Sequence, residues 1–242
     1  MLNFAATFRT MKKFFKFLFI KLPLALIALS VLLVVIFKWA PVWVTPIMVH
    51  RSIQYRNDPD YHTSKKWVKL EDISPEMMKA VISSEDNLFC KHNGFDEKAI
   101  RQAIEERKAG KRIRGGSTIS QQTAKNMFTL HGRTWWRKGV ESWFTILIEL
   151  FWSKERIMEV YLNIVETGKG VFGVEAASQK YFHKSAAKLT RREACLIAAV
   201  LPSPLKRNAG KPSSYVSSRA TAIARLVPKL AYPDWITGKK SD

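Results

Sequence analysis

Residues 17 to 37, FLFIKLPLALIALSVLLVVIF, are apolar apart from Lys21 and Ser30. About 20 such residues cross a hydrocarbon core of ~30 Å, so the run predicts a membrane-spanning helix. Lys21 lies near one end, where its stem can snorkel to the headgroups, and Pro23 sits in the first turn, where its missing N–H costs least. Beyond this run, apolar positions recur at helical spacing. Ser74-Pro75 reads as an N-cap followed by Pro at N1, and Met78, Val81 and Ile82 form the apolar stripe of that helix. Asp96 caps DEKAIRQAIEERKAGK, whose Ala99, Ile100, Ala103 and Ile104 share a face. Thr118 with Gln121, Ser153 before KERIMEVYLNIV, and Thr190 with Glu193 mark further helix starts, the first and last as capping boxes. LPSPL, residues 201 to 205, stops the helix begun at Thr190, and SSRATAIARLVPKLA is a last helix broken at Pro228. Few runs alternate with period two. The predicted fold is mainly α: one N-terminal transmembrane helix and one helical domain.

Charge changes the picture. The chain of 242 residues has 40 Lys+Arg against 20 Asp+Glu, a formal charge of +20. Such a balance calls for an anionic partner: nucleic acid, lipid phosphate or another phosphorylated ligand. Arg9, Lys12, Lys13, Lys16 and Lys21 precede the apolar core, and no acidic residue occurs before Asp58. That bias places the N-terminus in the cytoplasm and the large domain outside, which argues against nucleic acid. Trp39 and Trp43 suit the outer interface. The alternative, a cleaved signal peptide, fits less well: the run is long and FKWAPVWVTP offers no small-x-small site. The expected organisation is a basic cytoplasmic N-terminus (1–16), an anchor (17–37), a connector (38–64), a helical domain (65–230) and a polar tail (231–242). Cys90 and Cys195 read as small hydrophobes rather than a disulfide framework, and no Cys/His cluster has metal-site spacing.

Three stretches carry candidate chemistry. Glu85 falls on the stripe of Val81 and Ile82. Desolvation there raises its pKa toward a value useful for general acid–base work, but helix geometry alone makes a buried Glu–Arg pair an equal reading. Asp86 points elsewhere and suits orienting the following loop. His92 suits a structural hydrogen bond. In RIRGGSTISQQTAKN, residues 112 to 126, two glycines precede a helix start, which exposes N–H groups to an anion. Thr118, Gln121, Gln122 and Lys125 share one polar face that suits a sugar or phosphate, with a plain capping box on a solvated helix as the alternative. Arg137 and Lys138 stand four and three residues before Glu141, as an intrahelical ion pair or as a cation cluster for phosphate. GKGVFG, residues 168 to 173, matches a dinucleotide-binding pattern, but a helical segment precedes it. It reads as a glycine loop.

The order of the motifs is more specific than any one of them. EDNLFCKHNGFD, GGSTISQQTAKN, RKGVESWFTILIE, KERIMEVYLNIVETGKGVFGVEAAS and RREACLIAAVLPSP resemble the five successive motifs of the peptidoglycan glycosyltransferases (glycosyltransferase family 51), over roughly residues 65 to 205. The resemblance implies a lysozyme-like all-α glycosyltransferase domain that polymerises lipid II into β-1,4 glycan strands with inversion. With one anchor and no second domain, it implies the monofunctional type without transpeptidase activity. The family's general base falls on Glu85 and its second glutamate on Glu141. Positions expected to bind substrate are Asp86, Phe89, His92, Ser117, Gln121, Lys125, Asn126, Arg133, Arg137 and Lys138, the cations facing the leaving diphosphate. Glu159, Tyr161 and Asn163 match the fourth motif, with structural or donor-site roles. Thr145 departs from the family's usual alanine. No tightly bound cofactor is expected, and a divalent cation (Mg2+ or Mn2+) assisting the diphosphate stays open. Expected partners are lipid II and the nascent strand, membrane lipids and other cell-wall or division proteins, with no nucleic acid. The expected location is the bacterial inner membrane with the catalytic domain periplasmic. Trp135, Trp136, Met127 and Phe128 suit an apolar lip dipping into the bilayer, or ordinary packing. A lytic hydrolase and an anchored scaffold are the competing readings.

Overall fold

Ser74 Oγ accepts the Glu76 N–H at 3.4 Å, and Pro75 at N1 gives up no needed donor, so a helix starts where the sequence signals one. The computed structural model describes residues 11, 12, 15–110, 116–130, 132 and 134–238, in two units, Met1–Ala40 and Pro41–Asp242. In the first unit a π-helical turn, Phe17–Lys21, runs into α1, Leu22–Phe37. These 21 residues form one helix long and apolar enough to cross a membrane.

The second unit runs α2 (Pro46–Gln54), β1 (Ser64–Lys65), α3 (Pro75–Glu85), α4 (Glu97–Lys108), α5 (Ile119–Phe128), α6 (Trp135–Phe151), α7 (Lys154–Ile164), β2 (Glu166–Gly168), β3 (Val171–Phe172), α8 (Val174–Phe182), α9 (Arg191–Val200), α10 (Ser214–Leu226) and α11 (Asp234–Thr237). Helix α9 is the core: every residue from Ala194 to Val200 is buried. Its small Ala194, Ala198 and Ala199 let α3 and α10 pack closely against it. Beside this core, α7 buries Ile157, Met158, Val160 and Leu162 and packs on α5. Helix α5 lies on α6, where Phe128 and Phe144 stack at 4.1 Å. The capping boxes at Thr118/Gln121 and Thr190/Glu193 form as expected, and Ser153 caps α7. Pro228 converts the end of α10 into a 3-10 turn, Val227–Lys229.

Two stretches depart from the sequence expectation. The segment read as connector contains α2, whose Arg51 grips Glu166 through two hydrogen bonds of 2.9 Å. The stretch read as a glycine loop between helices is a hairpin, β2 against β3, with β1 added in parallel through Ser64 and Val171. These strands are two or three residues long and every residue of β2 and β3 is buried, so no period-two pattern marks them. Gly173 closes the hairpin at φ +81, where an added Cβ would lie 2.7 Å from the Asn163 carbonyl oxygen. Gly173→Ala is therefore expected to cost about 1–3 kcal/mol, read as a drop in Tm of roughly 3–10 °C.

The fourth motif holds the entry to the domain. Asn163 accepts the Val68 N–H at 2.9 Å and donates to the Val68 carbonyl at 2.8 Å, while Glu159 accepts the Leu70 N–H. Segment 68–70 is thereby fastened to α7.

Candidate active site

Glu85 is the last residue of α3, and Asp86 leaves helical geometry at φ −161. The helix stops there because the Asp86 carboxylate is claimed from two sides. It accepts the N–H of Ile119, the first residue of α5, at 3.0 Å and His92 Nε2 at 2.9 Å. A carboxylate at a helix N-terminus is favoured by the exposed N–H groups there. His92 Nδ1 in turn accepts the Gly94 N–H at 3.1 Å, which fixes the tautomer with the proton on Nε2. Gly94 sits at φ +89, its carbonyl receiving Thr118 Oγ1 at 2.7 Å. This network ties the end of α3 to the start of α5 and sets Glu85 beside Gln122.

Glu85 itself is only 11% exposed. Burial raises its pKa, opposed by the Gln122 hydrogen bond and the charges of Arg219 and Lys125, and reinforced by Asp86. Its place at the carbonyl end of α3 works in the same upward direction. Gln122 Nε2 donates to Oε2 at 3.2 Å, whereas buried Oε1 has no hydrogen-bond partner. Arg219 of α10 stands 3.7 Å from Oε1, too far for a hydrogen bond but close enough to act as a charge.

A second carboxylate organises the cations. Glu141, 2% exposed, accepts Arg137 Nη1 on Oε2 at 2.8 Å and Lys138 Nζ on Oε1. Lys125 projects from α5 toward them into a cleft of about 700 Å³ that Gln122, Asn126, Arg137 and the 201–206 loop also line. Its surface is accessible to water in the cleft, yet the surrounding protein lowers its pKa. Arg137 and Lys138 push the same way, against Glu141 and Glu85. On the other side of Gln122, Glu85 opens into a smaller recess of about 210 Å³ shared with Ser117 and Asp86. The arrangement pairs a proton acceptor of raised pKa with a positively charged cleft, one amide apart.

The transglycosylase family model matches residues 51–227. The chain belongs to this family. It is similar to proteins named biosynthetic peptidoglycan transglycosylase. One from Pseudomonas putida is 49% identical over 211 residues, covering 87% of this chain and 89% of that protein. One from Caulobacter vibrioides is 46% identical over 217 residues (90% and 93%), and one from Bacteroides thetaiotaomicron is 51% identical over 207 residues (84% of each). The transglycosylase domain has the lysozyme-like all-α fold.

Of the positions expected to touch substrate, Lys125, Asn126 and Arg137 line the cleft of this transglycosylase and Ser117 the recess, while Lys138 is bound to Glu141. Arg133 lies outside the described residues. Phe89 and Gln121 require correction. Phe89 is fully buried, and Gln121 is spent on the capping box, its Oε1 accepting the Thr118 N–H. Asp86 borders the recess, but its oxygens and both His92 nitrogens are committed to the network that orients the loop. Of the apolar lip, Trp135 and Trp136 are 85% and 77% exposed, whereas Met127 is buried and Phe128 packs on Phe144. Thr145, in place of the family's alanine, is buried and donates to the Glu141 carbonyl at 2.7 Å, a local adjustment on α6. Sequence reasoning missed Arg219 and the link from Gln122 to Tyr161. Arg219 belongs to a helix beyond the fifth motif, and no local spacing connects it with Glu85.

Proposed function

We propose that this transglycosylase polymerises lipid II into β-1,4 glycan strands, with Glu85 as the general base. It is a peptidoglycan glycosyltransferase of cell wall synthesis. The observation that carries the reading is the pairing across Gln122: a desolvated carboxylate on one side, and on the other the cations Lys125 and Arg137. The acceptor's GlcNAc 4-hydroxyl oxygen attacks C1 of the donor's MurNAc as the bond from C1 to the diphosphate breaks, and Glu85 takes the hydroxyl proton. Attack opposite the α-linked leaving group gives the β product. Negative charge develops on the departing undecaprenyl diphosphate where Lys125 and Arg137 already stand, so little reorganisation is needed. Glu141 keeps Arg137 and Lys138 in place.

A divalent ion held by the protein does not fit these residues. Among the described residues no three His, Cys, Asp or Glu side chains gather to hold a metal ion, and both Glu141 oxygens are engaged by cations. A Mg2+ or Mn2+ ion would be carried by the diphosphate itself, and no step is routed through it. The apolar helix 17–37 anchors the chain once in the bacterial inner membrane with the N-terminus cytoplasmic. The domain then lies on the periplasmic side, where the net charge favours anionic headgroups. Partners are lipid II, the nascent strand and other cell-wall synthesis proteins.

The test is incubation of detergent-solubilised protein with labelled lipid II across a range of pH. The expected product is a muramidase-sensitive polymer with a bell-shaped rate profile. Glu85 acts deprotonated, so activity is lost as pH falls through a pKa lying above the ordinary carboxylate value. Lys125 acts protonated, so activity is lost as pH rises through a pKa below that of an ordinary lysine. Shortening of existing glycan without polymer growth would move the protein to the lytic class.

A further inference from the structure

Tyr161 is among the largest side chains in the core that are fully buried, and its one polar atom is spent on the site. The hydroxyl donates to Gln122 Oε1 at 3.2 Å. The other edge of the same amide, Nε2, has two acceptors, Glu85 Oε2 at 3.2 Å and the Ser117 carbonyl at 3.3 Å. All three bonds agree on one orientation of the amide. In the reverse orientation Tyr161 would have no acceptor, and Gln122 Oε1 would face the Glu85 carboxylate, lone pair against lone pair.

We propose that Tyr161 is a positioning residue for the base, acting through Gln122 to keep a donor against the Glu85 carboxylate. The inference rests on reading Glu85 as the base. The phenol is a dependable donor, because burial and the nearby Glu85 and Asp86 carboxylates hold its pKa well above 10. An N–H aimed at a carboxylate favours its ionised form. Burial pushes Glu85 toward protonation, and this amide opposes it most strongly, with the charges of Arg219 from α10 and Lys125 from α5 acting the same way; Asp86, at the end of α3, adds to the burial effect. Tyr161 thus decides how much of the base is ready at a given pH without touching substrate.

The experiment compares kcat/KM against pH for wild type, Tyr161→Phe, Gln122→Met and the double variant, using labelled lipid II and the full chain. Tyr161→Phe should move the acid limb to higher pH, a loss of roughly 3- to 10-fold on that limb, and leave the plateau nearly unchanged. Gln122→Met should move the same limb in the same direction. The double variant should shift it no further than the larger single change, because Tyr161 acts only through Gln122. A loss independent of pH, or additive shifts, would assign Tyr161 to packing and overturn the proposal. Should Tyr161→Phe fail to fold, Gln122→Met decides alone, an unmoved limb being the overturning result. Glu85→Gln is run beside them. If it retains wild-type activity, the reading of the base fails; if it is inactive and the limbs do not move, only the role of Tyr161 fails.

Discussion

Glu85→Gln is expected to lower lipid II polymerisation by roughly 10²–10⁴-fold at neutral pH, the range a positioned general base contributes. The substitution keeps the shape of the side chain and removes only its ability to take a proton. The structure adds a second expectation that separates catalysis from folding. Glu85 is almost buried, its Oε1 lacks a hydrogen-bond partner and Arg219 is too distant to bond it, so the carboxylate is a burden on the folded state. Exchange for a neutral amide removes that burden, and the Tm of Glu85→Gln should equal or exceed that of the wild type. Differential scanning fluorimetry beside the polymerisation assay checks both halves. An inactive variant with a collapsed Tm would contradict the account, as would an active one.

Arg137→Met is the second large effect, and its signature differs. In the proposed mechanism the guanidinium meets the leaving diphosphate as charge develops, so its loss is expected to fall on kcat more than on KM, by roughly 10²–10³-fold. Here stability also suffers. Glu141 is buried, and without Arg137 it keeps its bond to Lys138 and the more distant charge of Lys125 but loses a bonded partner on Oε2, which costs about 1–3 kcal/mol. Lys125 loses a repelling neighbour at the same time, so its pKa moves back up and the alkaline limb of the profile should extend to higher pH. Unchanged kcat with raised KM would make Arg137 a simple binding residue.

The sequence made the helices legible because their signals are local. Ser74-Pro75, Thr118/Gln121 and Thr190/Glu193 form the caps they suggest, and the stripe of Val81 and Ile82 places Glu85 correctly. The triad of Arg137, Lys138 and Glu141 lies within one helical turn, so spacing alone brings it together. What stayed hidden is long-range. The short strands around Gly168 to Gly173 pair with Ser64 and Lys65, about a hundred residues earlier. Arg219 reaches Glu85 only because α10 packs on α3 and α9. Phe89 and Gln121 mislead for another reason: proximity to a site in sequence carries no information on whether a side chain faces the cleft or supports its wall.

Asp86 has one more implication, for how such a chain can vary. One carboxylate joins residue 119 to the end of α3 and also fixes His92, so both ends of the stretch from 97 to 116 are held at a common clasp. Closing a longer excursion between fixed ends costs little, about 0.6 kcal/mol for each doubling of its length. An insertion just past α4, at Gly110, where nothing lies within 4 Å of an added Cβ, should therefore enlarge the chain without disturbing the register between Glu85 and the cations, which makes this point the natural place to graft a tag or a reporter.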